Sequence, residues 1–101
     1  MRIHQWLKIL AQGKGSDLFL ATGAPPCAKF AGELKTIAPD VLAPGEVATI
    51  ADEIMDDTQR EEFARELEMN LALFMPGIGR FRVNIFRQRN EVSIVSRFIV
   101  S

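Results

Sequence analysis

The sequence has no tyrosine and only one tryptophan, one histidine and one cysteine. A single thiol, Cys27, excludes an internal disulfide and predicts a reducing, cytoplasmic setting. It follows Pro25-Pro26 with no histidine close by, so it reads as a structural thiol rather than a nucleophile. His4 has no companion ligands and reads as a solvated side chain, not a metal ligand. There is no Gly-Lys-Ser/Thr phosphate loop, no metal-ligand cluster and no nucleophile–base pair, so the domain is not expected to perform chemistry by itself. No apolar run approaches the roughly 18–20 residues of a helical membrane span. The segment Met1 to Lys8 lacks the apolar core and cleavage site of a secretory signal. A net charge of −1 gives no reason to expect nucleic acid or an anionic membrane as partner.

What is present is unevenly distributed. The 101 residues suffice for one domain with one core, and the 48% hydrophobic and 25% charged shares are ordinary for a globular chain. Residues 46–68 carry Glu46, Asp52, Glu53, Asp56, Asp57, Glu61, Glu62, Glu66 and Glu68 against only Arg60 and Arg65. Residues 80–97 carry Arg80, Arg82, Arg87, Arg89 and Arg97 against only Glu91. The asymmetry suits head-to-tail contact between copies as well as simple solvation. Alternate strand positions share one face of a sheet, and arginine's fixed fork of donors matches carboxylate or phosphate. The stretch from Gly77 to Asn90 therefore looks built to meet an anion or an acidic partner.

Periodicity divides the chain into an α+β domain. Ile3, Trp6, Leu7 and Leu10 mark an amphipathic helix ended by Gly13 and Gly15, one of which is expected in the left-handed C-terminal position. Strands are predicted over 16–21, 27–30 and 33–37, with a turn at Thr22–Pro26 and a loop at Pro39–Pro44. A second helix opens at Pro44-Gly45-Glu46 and carries Val47, Ile50, Ala51, Ile54 and Met55 at helical spacing. Thr58 to Glu61 has the spacing of a capping box, which predicts Thr58 as N-cap of a third helix whose Phe63 and Leu67 face the core. From Met69 the period becomes two. Three antiparallel strands follow as a meander, with turns at Pro76–Gly79 and Arg89-Asn90. Phe81, Val83 and Ile85 form one face of the middle strand; Arg80, Arg82 and Asn84 form the other. The chain stops on a strand at Phe98-Ile99-Val100-Ser101, as either a domain cut from a longer protein or a natural C-terminal strand does.

Several of these segments fall in the order and spacing of one family. They are Ser16-Asp17-Leu18-Phe19-Leu20-x-x-Gly23-x-Pro25-Pro26, then Gly32, Ile54-Met55-x-x-x-Gln59-Arg60, Gly77-Ile78-Gly79-Arg80-Phe81-Arg82-Val83-Asn84-x-Phe86-x-Gln88-Arg89-Asn90, and Arg97. The chain resembles, over essentially its whole length, the N-terminal domain of the PilT/PilU twitching-motility ATPases of type IV pilus retraction. Phe19 and Gln88-Arg89-Asn90 lean towards the PilU-like branch. Asn70, where an acidic residue is frequent, and the absence of a proline soon after Arg97 depart from the pattern.

The resemblance implies a PAS-like fold for residues 1–101, an antiparallel sheet packed by helices, with a RecA-like ATPase domain beyond it in the parent protein. It implies a cytoplasmic homo-hexamer peripheral to the inner membrane. Each N-terminal domain would pack on the ATPase domain of its own and a neighbouring subunit, and the assembly would meet the inner-membrane platform of the pilus. ATP, with Mg in the full-length parent, would sit between the domains, and hydrolysis would drive domain rotation. Of the residues present, Arg82, then Arg97, then Arg80 are implied to approach the phosphates. No catalytic residue and no metal ligand is implied in this chain, and no nucleotide is expected to stay bound to it alone. The alternative is a standalone PAS-like module that binds a ligand or protein, with Trp6, Phe30 and Phe63 lining a cavity.

Overall fold

A computed structural model describes residues 1–100. The elements run α1 (His4–Gln12), β1 (Asp17–Leu20), β2 (Cys27–Phe30), β3 (Glu33–Thr36), α2 (Glu46–Ile54), α3 (Asp57–Glu66), β4 (Glu68–Met75), β5 (Gly79–Gln88) and β6 (Glu91–Ile99). The six strands form one antiparallel sheet in the order β3-β2-β1-β6-β5-β4. β1 thus seals against the last strand of the meander, a pairing between residues nearly eighty positions apart in sequence.

Alternation decides which side of this sheet is covered. Leu18, Leu20, Ala28, Met69, Phe81, Val83, Ile85, Val92 and Ile94 point to one face and are buried there. The same cluster contains Ile3, Trp6, Leu7 and Leu10 beside α1, Val47, Ile50 and Ala51 of α2, and Phe63 of α3. One contiguous core means that all three helices lie on one face of the sheet, and among the described residues the other face carries no helix. No helix among the described residues is long and apolar enough to cross a membrane.

The structure corrects the expected helix ends. Gly13 has φ −84°, and the left-handed residue after α1 is Lys14 at φ 55°. Gly15 is needed for room instead: a Cβ there would lie 2.6 Å from Leu10 Cδ1 and 2.8 Å from the Lys29 carbonyl oxygen. The N-cap of α3 is Asp56, two residues before Thr58. Its Oδ1 accepts from the Gln59 amide at 2.8 Å, and Gln59 Oε1 accepts from the Asp56 amide at 2.9 Å. Asp56 leads because its carboxylate meets both the orphan amides and the positive helix end. Leu67 does not face the core; it is the left-handed C-cap of α3 and is exposed.

Polar staples tie the helices to one another and to the sheet. Arg60 donates from Nε and Nη2 to the Asp52 carbonyl, at 3.1 and 2.7 Å, across the α2–α3 junction. Glu91 Oε1 accepts from the Thr22 hydroxyl at 2.7 Å and from the Gly45 amide at 3.3 Å, joining the β5–β6 turn to the β1–β2 loop and the start of α2. The Thr22 hydrogen bond, followed by that of Gly45, holds the Glu91 carboxyl below the ordinary glutamate value of 4.5. A carboxyl depressed in the folded state stabilises it fully above the unfolded value, and that stability is lost as pH falls through the folded value. Glu91→Gln is therefore expected to lower the urea midpoint near pH 7 and to narrow the gap between midpoints at about pH 7 and about pH 3. An unchanged gap would show that Glu91 titrates alike in both states.

Candidate functional site

On the helix-free face, paired strands bring one row of side chains together. Register places Lys29 of β2 beside Asp17 of β1, Asp17 beside Arg97 of β6, Arg97 beside Arg82 of β5, and Arg82 beside Ala72 of β4. The next row holds Phe19, Val95, Asn84 and Asn70. Between the two rows lies an open groove of about 250 Å³ lined by Asp17, Asn70, Leu71, Arg82, Val83, Asn84, Val95 and Arg97.

Two of the three arginines expected from the sequence therefore meet here. Arg82 and Arg97 are directly opposed across β5 and β6, and both are exposed. Opposed residues have Cβ atoms only about 4.5–5.5 Å apart, and like charges so placed repel. Arg97 is partly compensated: its Nε donates to Asp17 Oδ1 at 3.3 Å. Arg82 makes no ion pair among the described residues, where the pairs are Arg2–Glu46, Arg60–Asp57 and Arg97–Asp17. Asn84 donates from Nδ2 to Asn70 Oδ1 at 2.9 Å and to Glu68 Oε1 at 3.2 Å, which fixes the amide wall of the groove. A groove with two adjacent guanidinium forks and flanking amides suits a multiply charged oxyanion better than a neutral ligand.

Arg80 stands elsewhere. Its guanidinium lies over the Phe74 ring at 5.8 Å, with Ile99 on its other side, at the apolar end of the same face. Arg87 sits over Phe63 at 6.0 Å and donates to the Asn90 carbonyl, at the opposite end of β5. Arg89 occupies the hairpin tip with φ 52°. Cys27 is half-buried, and its thiol donates to the Pro25 carbonyl at 3.2 Å. Among the described residues no three His, Cys, Asp or Glu side chains gather into a metal site.

Asp17 is the groove residue that sequence reasoning missed. Its signal was faint: a carboxylate alternating with Leu18 and Leu20 must face away from the core. Its partner could be named only once β1 was paired with β6.

Comparison with known proteins gives the chain its relatives. No family model matches it. It is 37% identical over 99 residues to the type IV pilus ATPase PilU of Pseudomonas aeruginosa, covering 98% of this chain and 26% of that protein. It is 36% identical over 101 residues to the type IV pilus retraction ATPase PilT of the same organism, covering 100% of this chain and 29% of that protein. The nearly equal identities do not separate the two branches. Its fold superposes on the crystal structure of the pilus retraction motor PilT with bound ADP, with a TM-score of 0.81 and 27% identity over 94% of this chain and 29% of that one. The chain thus spans between a quarter and a third of the length of these relatives. By sequence along its whole length and by fold, it belongs to the PilT/PilU family of type IV pilus ATPases, as the counterpart of their N-terminal region.

Proposed function

We propose that residues 1–101 act as the N-terminal domain of a hexameric pilus retraction ATPase, lending arginines and interface surface to an ATP site on a RecA-like domain. The observation that carries this reading is the opposed pair Arg82 and Arg97 on a sheet face free of helices. An uncovered sheet face with exposed Phe74 and Ile99 at one end and two arginines in mid-sheet has the makings of a domain interface that meets an anion. Guanidinium groups brought to a triphosphate offset charge in its bound and transition states. ATP with Mg would be held chiefly by the RecA-like domain, and closure would bring Arg82 first, then Arg97, to the phosphates. Arg80, stacked on Phe74, then serves the interface more than the nucleotide. The setting would be the cytoplasmic side of the inner membrane, next to the pilus platform, with the RecA-like domains of the same and neighbouring subunits as partners.

A ligand-binding PAS-like module is the weaker reading. Trp6 and Phe63 are buried in the packed core and Phe30 rests against it, so these three rings fill space that a ligand would need.

The division of labour has a direct test. The 101-residue chain with Mg and ATP is expected to release no phosphate above a protein-free control. Steady turnover that Arg82→Ala abolishes would place a complete catalytic site in this domain and overturn the proposal.

A further inference from the structure

The carboxylate of Asp17 sits on the anion-facing side of the sheet, where a negative charge opposes an anionic ligand. Its place in the row explains its presence. Asp17 is only 8% exposed and is flanked by Lys29 on one side and Arg97 on the other. It engages Arg97 at Nε, through Oδ1 at 3.3 Å. Among the described residues no hydrogen bond reaches Nη1 or Nη2 of Arg97, whose side chain is otherwise exposed. A guanidinium offers five donors in a rigid plane. Gripping it at Nε orients that plane and leaves the terminal fork free, next to the unpaired guanidinium of Arg82.

Resting on the reading of Arg82 and Arg97 as a phosphate site, we propose that Asp17 is the positioning residue of that pair: it holds Arg97 by Nε and presents its terminal fork, alongside Arg82, to a polyphosphate. The carboxylate also balances one of two like charges that would otherwise repel across β5 and β6. The pair is thereby kept together before any ligand arrives, and a preorganised fork loses less freedom on binding than a free one.

Charge and positioning make opposite predictions for two substitutions that change charge equally. Asp17→Asn keeps an oxygen acceptor for the Arg97 Nε–H and removes the opposing charge. Asp17→Ala removes both. Nitrogen-15-labelled chain is titrated at low salt with inorganic tripolyphosphate, following the arginine Nε–Hε resonances and checking fold by amide dispersion and thermal melting. Without ligand, the Arg97 Nε–Hε resonance is expected to be distinct and exchange-protected in wild type and in Asp17→Asn, and lost to exchange in Asp17→Ala. With tripolyphosphate, Arg82 and Arg97 resonances shift in wild type. Asp17→Asn binds as tightly or more tightly, and Asp17→Ala binds about fivefold more weakly than Asp17→Asn.

Equal binding by the two variants, or an Arg97 signal indifferent to both, overturns the positioning role while leaving the arginine site intact. Wild-type arginine signals that do not move with tripolyphosphate overturn the phosphate site itself, and the role of Asp17 in it. Should Asp17→Ala fail to fold, Asp17→Ser serves instead: it keeps a small polar side chain but brings its oxygen one bond nearer the backbone, away from the Arg97 Nε–H. Binding about fivefold weaker than Asp17→Asn supports the proposal, and binding equal to Asp17→Asn overturns it.

Discussion

Arg82→Ala, introduced into a full-length pilus ATPase carrying this domain, is expected to lower ATP turnover by on the order of 10- to 100-fold while leaving the fold unchanged. The size follows from where the charge acts. A guanidinium that meets the phosphates only in the closed state contributes most where negative charge develops, in surroundings from which water is excluded. The harmlessness to folding follows from this structure: Arg82 is exposed and makes no ion pair among the described residues. Surface changes away from such features usually move stability by no more than about 0.5 kcal/mol. Arg82→Lys should recover only part of the activity, because an ammonium keeps the charge without the two-pronged geometry. Arg80→Ala should cost less than Arg82→Ala, since Arg80 lies over Phe74 rather than in the groove. The measurement is steady-state ATPase activity beside a thermal melt of each variant. Activity equal to wild type in Arg82→Ala would make Arg82 an ordinary solvated charge and remove the main support for the proposed role.

What could be read from the sequence was whatever local chemistry dictates. The stripe of Ile3, Trp6, Leu7 and Leu10 and the alternation of Phe81, Val83 and Ile85 are properties of a few neighbouring residues, and each is buried as its period requires. The meander and its turn at Arg89-Asn90 were legible for the same reason; both turn residues have positive φ. Helix ends were less so, because Asp56 and Thr58 both offer a cap three residues before a side chain able to reach back. Asp56 takes the cap because its carboxylate, unlike the Thr58 hydroxyl, also meets the positive helix end. The candidate site divides along the same line. That Arg80 and Arg82 point away from the core follows from period two alone. That Arg97 opposes Arg82 while Arg80 opposes Phe74 and Ile99 depends on register between strands, and that Asp17 holds Arg97 depends on β1 returning to pair with β6.

Phe81→Ala is expected to destabilise the domain by about 3–5 kcal/mol, a large part of the roughly 5–15 kcal/mol available to a domain of this kind. Phe81 is 1% exposed and is the third residue of β5, with its ring centroid 5.4 Å from that of Phe98. Truncation removes the burial of a whole ring and leaves a void that the surrounding strands cannot fill, because both neighbours of β5 are held in register along its length. Phe98 would lose its stacking partner, and it in turn covers Gly79, where even a Cβ would come within 2.8 Å of the ring. At roughly 4–8 °C per kcal/mol for a domain of about this size, the melting temperature should fall by at least about 12 °C. A loss below about 1 kcal/mol would mean that the core repacks around the void and is not close-packed at this position. The contrast with the adjacent residue is the sharper test of the architecture. Position 81 faces the core and position 82 faces the groove, so Phe81→Ala should lose activity by losing fold, with every arginine still present. Arg82→Ala should lose activity with the fold intact. Activity tracking stability alike in both variants would mean that β5 is a scaffold only, whereas their separation would locate the function on its outward face.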